Sequence, residues 1–273
     1  MRFILPILAC IWLASPAAAV ELQGRFVQGG MVMGATSKGA HVSLDGKAVR
    51  VSEDGLFVIG FDRDAAQTAM LVVTGVDGTV DERVLNVEKR AYKVERVDGV
   101  PPRTVNIPPE EQARRKRERA MVVSARKAES DAVFWNAPFI WPAVGRISGV
   151  YGSQRVLNGQ PRWPHMGLDI AAPTGTPVKA PQAGTIVLAQ KNFLLEGGLI
   201  ILDHGHQVFS SFLHLSGVNV KAGDKVKQGD VIGSIGATGR ATGPHLDWRM
   251  KWKNVNLDPA LLLDEGGHRA AQK

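Results

Sequence analysis

The chain has 273 residues, 44% of them hydrophobic, which is enough material for two small domains. Its 30 glycines and few aromatic residues indicate many turns and short strands, and its single cysteine excludes a disulfide-stabilised scaffold. The formal net charge is +7, but no nucleic-acid-binding motif accompanies the basic residues, so a nucleic-acid partner is not expected.

The first 19 residues have the pattern of a secretory signal peptide. Arg2 precedes an apolar run at residues 3–13, and Ala17-Ala18-Ala19 forms a small-residue cleavage site. The run is too short to span a membrane as a stable helix. A lipoprotein signal at Cys10 fits poorly because the apolar stretch before it is very short. The sequence therefore predicts residues 1–19 as a signal peptide and an exported protein of the periplasm or cell envelope, without a transmembrane segment in its mature form.

Residues 20–102 alternate short β-favouring runs with Asp-Gly turns. Asp45-Gly46, Asp54-Gly55 and Asp77-Gly78 each lie near such runs, and Asp-Gly in that setting is a strong hairpin signal. The segment predicts an antiparallel β-sandwich that is immunoglobulin-like in outline. Because its one histidine, His41, stands apart from other titratable residues, the domain is expected to be a spacer, a docking module or a cover for a groove.

Residues 103–138 are predicted to form a basic helical linker. Pro108-Pro109 can begin a helix, and Glu110 and Glu111 suit the positive end of its dipole. Seven basic residues follow within residues 114–127. In an exported protein they would meet peptidoglycan carboxylates, wall polymers or lipid headgroups, and a solvated helix face is an equally good interpretation.

Residues 139–262 are predicted to form an all-β domain, with a tail at residues 263–273. The short β-branched runs are bounded by Gly, Pro and Asp and show no helical periodicity. This pattern favours antiparallel sheets that form a groove. Loops at residues 153–162 and 191–198 would wall that groove.

Three histidines and two aspartates of this domain lie in three short motifs. These are His165-Met-Gly-Leu-Asp169, Phe212-Leu-His214-Leu215 and Gly243-Pro-His245-Leu-Asp247. A helix is disfavoured around Gly167, so the chain must bend there for His165 and Asp169 to meet. On a strand, His245 and Asp247 share one face at roughly 7 Å, so that one can bind a metal ion while the other faces a bound water.

With these motifs, residues 142–259 resemble the lysostaphin/LytM-type zinc metallopeptidases, which cut peptide bonds in bacterial peptidoglycan. In that family a His-x-x-x-Asp pair and the second His of a His-x-His pair bind zinc, and two further His assist catalysis. The resemblance implies His165, Asp169 and Asp247 as metal ligands. It implies His245 as general base and His214 as hydrogen-bond donor to the oxyanion. The chain departs from the family pattern at Asp247, which stands where the family has its third metal-binding His.

Asp247 changes the expected chemistry of the site. Zinc accepts carboxylate oxygen as well as imidazole nitrogen, and one His with two Asp gives the three ligands of a catalytic site. Two carboxylates would cancel the ion's double charge, so a bound water is expected to be less acidified than at a His-rich site. The harder ligand set leaves another divalent ion, such as Mn²⁺, open beside Zn²⁺.

The resemblance implies an exported zinc metalloendopeptidase that hydrolyses peptide bonds in peptidoglycan stem peptides or cross-links, with peptidoglycan and other wall hydrolases as partners. The alternative, which Asp247 favours, is a catalytically inactive LytM-type protein that binds peptidoglycan and regulates another wall hydrolase. Residues 221–236 are also similar to biotinyl or lipoyl carrier domains. They lack the lysine triplet that bears the cofactor there, so they indicate shared sheet topology.

Overall fold

The structure is a computed structural model that describes residues 20–99 and 106–263. The predicted signal peptide at residues 1–19 lies outside the described residues, as does the predicted tail apart from its first residue. Within the described part of the chain, no helix is long and apolar enough to cross a membrane.

The N-terminal part consists of short strands joined by the turns that the sequence contains. They are β1 (Glu21–Gly24), β2 (Met31–Ala35), β3 (His41–Leu44), β4 (Lys47–Val49), β5 (Leu56–Gly60), β6 (Thr68–Thr74) and β7 (Val80–Asn86). One sheet has the order β1-β2-β5 and the other β4-β3-β6-β7. Asp45 and Gly46, between β3 and β4, both have positive φ (49° and 72°), as a two-residue hairpin turn requires. Two antiparallel sheets are compatible with the predicted sandwich, and its immunoglobulin-like outline stays a prediction.

The remaining elements are almost all strands. They are β8 (Val94–Val97), helix α1 (Pro109–Ala125), a 3₁₀ turn (Phe134–Asn136), β9 (Arg146–Gly149), β10 (Gln154–Leu157), β11 (Gln160–Pro161), β12 (Leu168–Ala171), β13 (Pro177–Lys179), β14 (Gly184–Phe193), β15 (Gly197–Asp203), β16 (Val208–Leu215), β17 (Gly217–Val218), β18 (Lys225–Val226), β19 (Val231–Ser234), β20 (His245–Trp252), β21 (Val255–Leu257) and a second 3₁₀ turn (Pro259–Leu262). The predicted mainly β fold is confirmed.

The central sheet of the C-terminal part is antiparallel and has the order β18-β14-β15-β16-β20-β12-β9, with β21 paired to β20. Residues 153–162, predicted as a loop, contain the hairpin β10–β11, and β10 pairs in parallel with β8 from the N-terminal part. Residues 191–198 complete β14 and begin β15, so that only a tight turn separates the two strands. Both segments that were predicted as loops therefore consist largely of paired strands.

The central sheet is covered on both faces. One face contributes Ile200, Phe212 and Trp248 to a core shared with Val32 and Ile59 of the N-terminal sheets. The other face packs its apolar side chains against the inner side of α1; these are Leu188, Leu199, Ile201, Phe209 and Leu213 of the sheet and Val122 and Ala125 of the helix. Because side chains alternate along a strand, β20 sends Trp248 into the shared core and its odd-numbered neighbours to the face that α1 covers.

Helix α1 is docked on the sheet by a buried carboxylate. Glu118 accepts hydrogen bonds from the Leu194 backbone N–H (3.0 Å) and from Arg114 Nε (2.8 Å). Three residues before Glu118, Arg115 forms an ion pair with Glu196 (2.7 Å). Several charges of the basic segment are therefore used within the molecule, and the helix is only partly the solvated connector that the sequence suggests.

A buried polar network lies where β15 ends. His204 Nδ1 is 2.8 Å from the Ala183 carbonyl oxygen, and Nε2 is 2.8 Å from Ser210 Oγ. Because a carbonyl oxygen only accepts, Nδ1 carries the proton and Nε2 accepts the Ser210 hydroxyl hydrogen. Burial lowers the pKa of His204 to about 4. The folded protein therefore keeps this imidazole neutral, and stability is lost as the pH falls from the ordinary value of 6.5 towards 4.

The adjacent carboxyl group has the opposite pH dependence. Burial raises the pKa of Asp203 to about 6, so its protonation below pH 6 favours the folded state and offsets part of the cost of His204. Asp203→Asn removes this offset. Between pH 7 and pH 5, we expect the free energy of unfolding of Asp203→Asn to fall by about 2 kcal/mol more than that of Asp203→Asn/His204→Gln, which lacks the buried imidazole. Urea denaturation of the wild type, Asp203→Asn and Asp203→Asn/His204→Gln at both pH values measures this. Equal pH dependence in the two variants would contradict the assignment.

Candidate metal centre

His165, Asp169 and Asp247 lie together at the edge of the groove. Asp169 on β12 is directly opposite Asp247 on β20 in the strand register. His165 precedes β12, and its backbone is held by hydrogen bonds to Ser153 and Gly152 (2.8 and 2.7 Å). One donor atom from each of the three residues lies within 4.8 Å of the others, and all three side chains are buried. Antiparallel pairing thus brings together ligands that are distant in sequence.

Two buried atoms of this group lack a well-formed hydrogen bond. His165 Nε2 and Asp169 Oδ1 face each other at 3.0 Å, and neither has a well-formed hydrogen bond within the described part of the chain. Burying unpaired polar atoms is costly. A cation that accepted both lone pairs would remove that cost, so the residues fit a metal ion.

Arginine side chains bind both carboxylates, Asp247 at its two oxygens and Asp169 at one. Arg249 donates to Asp247 from Nε (3.0 Å) and from Nη2 (2.6 Å), while Arg155 binds Asp169 Oδ2 through Nη2. Burial alone would raise the pKa of Asp247, but the Arg249 guanidinium outweighs it and holds that pKa well below its usual value. A carboxylate oxygen has two lone pairs, so these hydrogen bonds orient the ligands and leave room for an ion.

The sequence interpretation did not include these arginines. Arg249 had a signal, because a residue two positions after Asp247 shares its strand face. Arg155 had none, because its contact depends on the β10–β11 hairpin meeting β12.

His214 and His245 form a pair beside the candidate ligands, with ring centroids 4.8 Å apart. His214 Nδ1 lies 2.8 Å from the Thr238 carbonyl oxygen, and His245 Nδ1 lies 2.8 Å from the Gly243 carbonyl oxygen. Each Nδ1 is therefore the donor, and the tautomer with the proton on Nδ1 presents an unprotonated Nε2. Burial lowers the pKa of His214 to about 4, so near neutral pH this ring offers an acceptor and differs from the donor predicted for it.

The backbone at His214 is in the left-handed region (φ 66°). This conformation interrupts the alternation of β16, so that Leu213 faces α1 while Leu215 enters the shared core. Left-handed conformations of non-glycine residues are uncommon and occur often at functional sites. The position of the imidazole is thus set by a local break in the strand.

A cleft of about 290 Å³ opens beside the candidate ligands, and three arginines and the two carboxylates of Glu95 and Asp169 line it. Asp169 and His245 line it together with the arginines Arg146, Arg155 and Arg240. A larger cavity of about 1310 Å³ lies between α1 and the sheet, and none of the three candidate ligands lines it. The smaller cleft is therefore the place where a substrate can reach His245 and the ligand group.

Comparison with known proteins places this site within a family. Residues 163–259 match the model of Peptidase family M23. Peptidoglycan DD-endopeptidase ShyA of Vibrio cholerae is 42% identical over 87 residues, which are 32% of this chain and 20% of that protein. Cell division protein DipM of Caulobacter vibrioides is 36% identical over 131 residues, 46% of this chain and 21% of that protein. The chain thus spans about a fifth of the length of each of these curated relatives.

A solved structure extends the likeness beyond the matched segment. A protein of Pseudomonas aeruginosa assigned to peptidase M23 is 31% identical, with a TM-score of 0.68, and the match covers 88% of this chain and 95% of that one. The matched segment, residues 163–259, spans all five residues that the sequence motifs singled out, and the match to the solved relative covers 88% of this chain. This chain belongs to peptidase family M23.

Proposed function

We propose that this protein is an exported zinc metalloendopeptidase that hydrolyses peptide bonds in peptidoglycan stem peptides or cross-links. The observation that carries the proposal is the buried group His165, Asp169 and Asp247 beside His214 and His245. The name of the relative ShyA, a peptidoglycan DD-endopeptidase, supports the substrate class. Export rests on the signal-peptide pattern of residues 1–19.

The three candidate ligands would hold one divalent ion. When bound, such an ion polarises the scissile carbonyl and lowers the pKa of water, which is the chemistry of catalytic zinc sites. The unpaired His165 Nε2 and Asp169 Oδ1 support this role. Zinc suits the imidazole and carboxylate donors, and manganese is the alternative that the two carboxylates favour.

The two imidazoles handle the proton. His245 is held by its Nδ1–H bond to Gly243, which leaves Nε2 to accept a proton from the attacking water and later to return it to the leaving amine. His214, held in the same way by Thr238, accepts a hydrogen bond from the water or from a substrate N–H. Both rings act as acceptors first, which is a revision of the role predicted for His214.

The arginines of the cleft suit an anionic substrate. Arg146 and Arg240 line the cleft together with Asp169 and His245, and guanidinium groups bind carboxylates strongly when the geometry allows two hydrogen bonds. Stem peptides of peptidoglycan carry free carboxylates. This charge pattern supports peptidoglycan as the substrate and supports orientation of its peptide within the cleft.

One observation favours the second function, a catalytically inactive wall-binding regulator. Arg155 and Arg249 already neutralise both carboxylates, so charge balance in the site does not require an ion. In that case the positive cleft would bind peptidoglycan without cutting it.

The test separates the two functions. Purified protein is incubated with Zn²⁺ and isolated peptidoglycan, and soluble muropeptides are quantified by chromatography, with His165→Ala as the ligand variant. We expect release by the wild type and loss of at least roughly 100-fold in His165→Ala, because a missing ligand removes the ion and its stabilisation of developing charge. Equal release by both proteins would remove the peptidase proposal, and binding without release in both would support the regulator.

A further inference from the structure

The ion pair between Asp247 and Arg249 is built into β20. Both residues lie on the same strand face, and Asp247 is 1% exposed. Arg249 reaches both carboxylate oxygens, with Nε at 3.0 and 3.1 Å and Nη2 at 2.6 Å from Oδ2. Such a planar fork fixes the direction of the carboxylate as well as its charge.

A glycine directly before the neighbouring strand β12 makes room for this pair. A Cβ at Gly167 would overlap Asp247 Oδ1 and would lie 2.8 Å from Arg249 Cγ. Gly167 has no positive φ, so it is the space, and not an unusual backbone conformation, that requires glycine here. The space beside Gly167 is therefore filled by β20, through the Asp247 and Arg249 side chains and the Trp248 carbonyl oxygen at 2.9 Å.

The pair also balances the negative charge that a carboxylate brings to the third ligand position. At this position the resembled family has a histidine, which binds metal as a neutral imidazole. A lone carboxylate would add a negative charge, whereas a carboxylate with a bidentate guanidinium adds none. The predicted weakening of water acidification by two carboxylates assumed no compensating charge, and Arg249 supplies one.

We propose that Arg249 is a positioning residue that orients Asp247 as the third metal ligand and balances its charge, so that the pair, which has no net charge, replaces the histidine of other family members. This inference rests on the proposed function, because it requires that the site binds a divalent ion. It predicts that Asp247→His weakens metal binding as a single substitution, and that metal binding is regained when Arg249 is replaced in the same variant.

The experiment is a double-mutant cycle on metal affinity. Zn²⁺ dissociation constants are measured by competition with a chromophoric chelator for the wild type, Asp247→His, Arg249→Met and Asp247→His/Arg249→Met. We expect Asp247→His alone to weaken Zn²⁺ binding about 10- to 100-fold, because it leaves an unpaired guanidinium beside the ion. The double variant should bind within about threefold of the wild type. Asp247→His/Lys251→Met is the matched control, since Lys251 is the next cation on the same strand face and contacts Asn254 and Asn256 instead; it should stay weak.

The outcomes separate this inference from the proposed function. If the wild type binds no Zn²⁺, the metal site and the peptidase proposal both fall. If the wild type binds Zn²⁺ and Asp247→His binds as tightly or more tightly, or if the double variant stays weak, only the role of Arg249 falls. Circular dichroism and thermal melting in chelator confirm folding. If Asp247→His does not fold, Asp247→Asn and Asp247→Asn/Arg249→Met replace it; we then expect the double variant to bind Zn²⁺ more tightly than Asp247→Asn, and equal or weaker binding by the double variant would overturn the role of Arg249.

Discussion

Replacing His245 with alanine should lower kcat/KM for muropeptide release by roughly 10²- to 10⁴-fold while Zn²⁺ binding stays at the wild-type level. The reason is the position of the ring. His245 Nδ1 is bonded to the Gly243 carbonyl oxygen, and the side chain lines the same cleft as Asp169. The variant removes the proposed proton acceptor and leaves His165, Asp169 and Asp247 in place. Steady-state kinetics and metal analysis on the same preparation measure both quantities.

His41→Ala is the matched control, because this exposed histidine lies on β3, in the N-terminal part. It should leave both kinetics and metal content unchanged. Loss of Zn²⁺ together with activity in His245→Ala would make His245 a ligand, and unchanged activity would remove its role as general base.

The second large effect is on stability. Trp248→Ala should lower the free energy of unfolding by about 3–5 kcal/mol, the usual cost of removing a large core side chain. Trp248 is fully buried, and its Nε1 donates to Ser210 Oγ at 3.3 Å, within the network that holds His204. It lies between Asp247 and Arg249 in sequence and on the opposite face of β20. Urea denaturation followed by circular dichroism measures the change.

Trp163→Ala provides the control of the same chemistry in a different environment. Trp163 is 90% exposed, so its removal should change the free energy of unfolding by less than about 0.5 kcal/mol. A loss in Trp248→Ala no larger than in Trp163→Ala would contradict the packing of β20 between the shared core and the groove.

The sequence predicted most of what depends on local pattern. Asp-Gly turns and alternating β-branched runs predicted the antiparallel strands, since hairpin geometry is encoded in adjacent residues. The His and Asp motifs, read through the family resemblance, predicted the residues that the structure brings together. The spacing of His245 and Asp247 was informative because a strand repeats every two residues.

The parts that were not predicted depend on contacts between distant segments. The pairing of β8 with β10 and the contact of Arg155 with Asp169 arise only when three separate strands meet. The docking of α1 depends on Glu118, whose burial is not evident in a run of charged residues. Local sequence patterns indicate which residues are exposed and which lie on one face of an element. They do not indicate which distant segments meet in the folded chain.

The tautomer of His214 illustrates the same limit. Its sequence motif indicated a catalytic histidine, but the direction of its hydrogen bonding depends on Thr238, which reaches it from a separate segment. The carbonyl oxygen there takes the Nδ1 proton and decides that Nε2 is an acceptor. A residue type was therefore predictable, and its chemical role required the structure.

The zinc stoichiometry of the purified protein is the decisive measurement for the candidate metal centre. Wild type and Asp169→Asn are dialysed against the same low concentration of free Zn²⁺, and the metal is counted by mass spectrometry. We expect about one ion per chain for the wild type and far less for Asp169→Asn, because a metal site needs all three protein ligands. A wild type without zinc, or the same zinc content in both proteins, would contradict a metal centre at His165, Asp169 and Asp247.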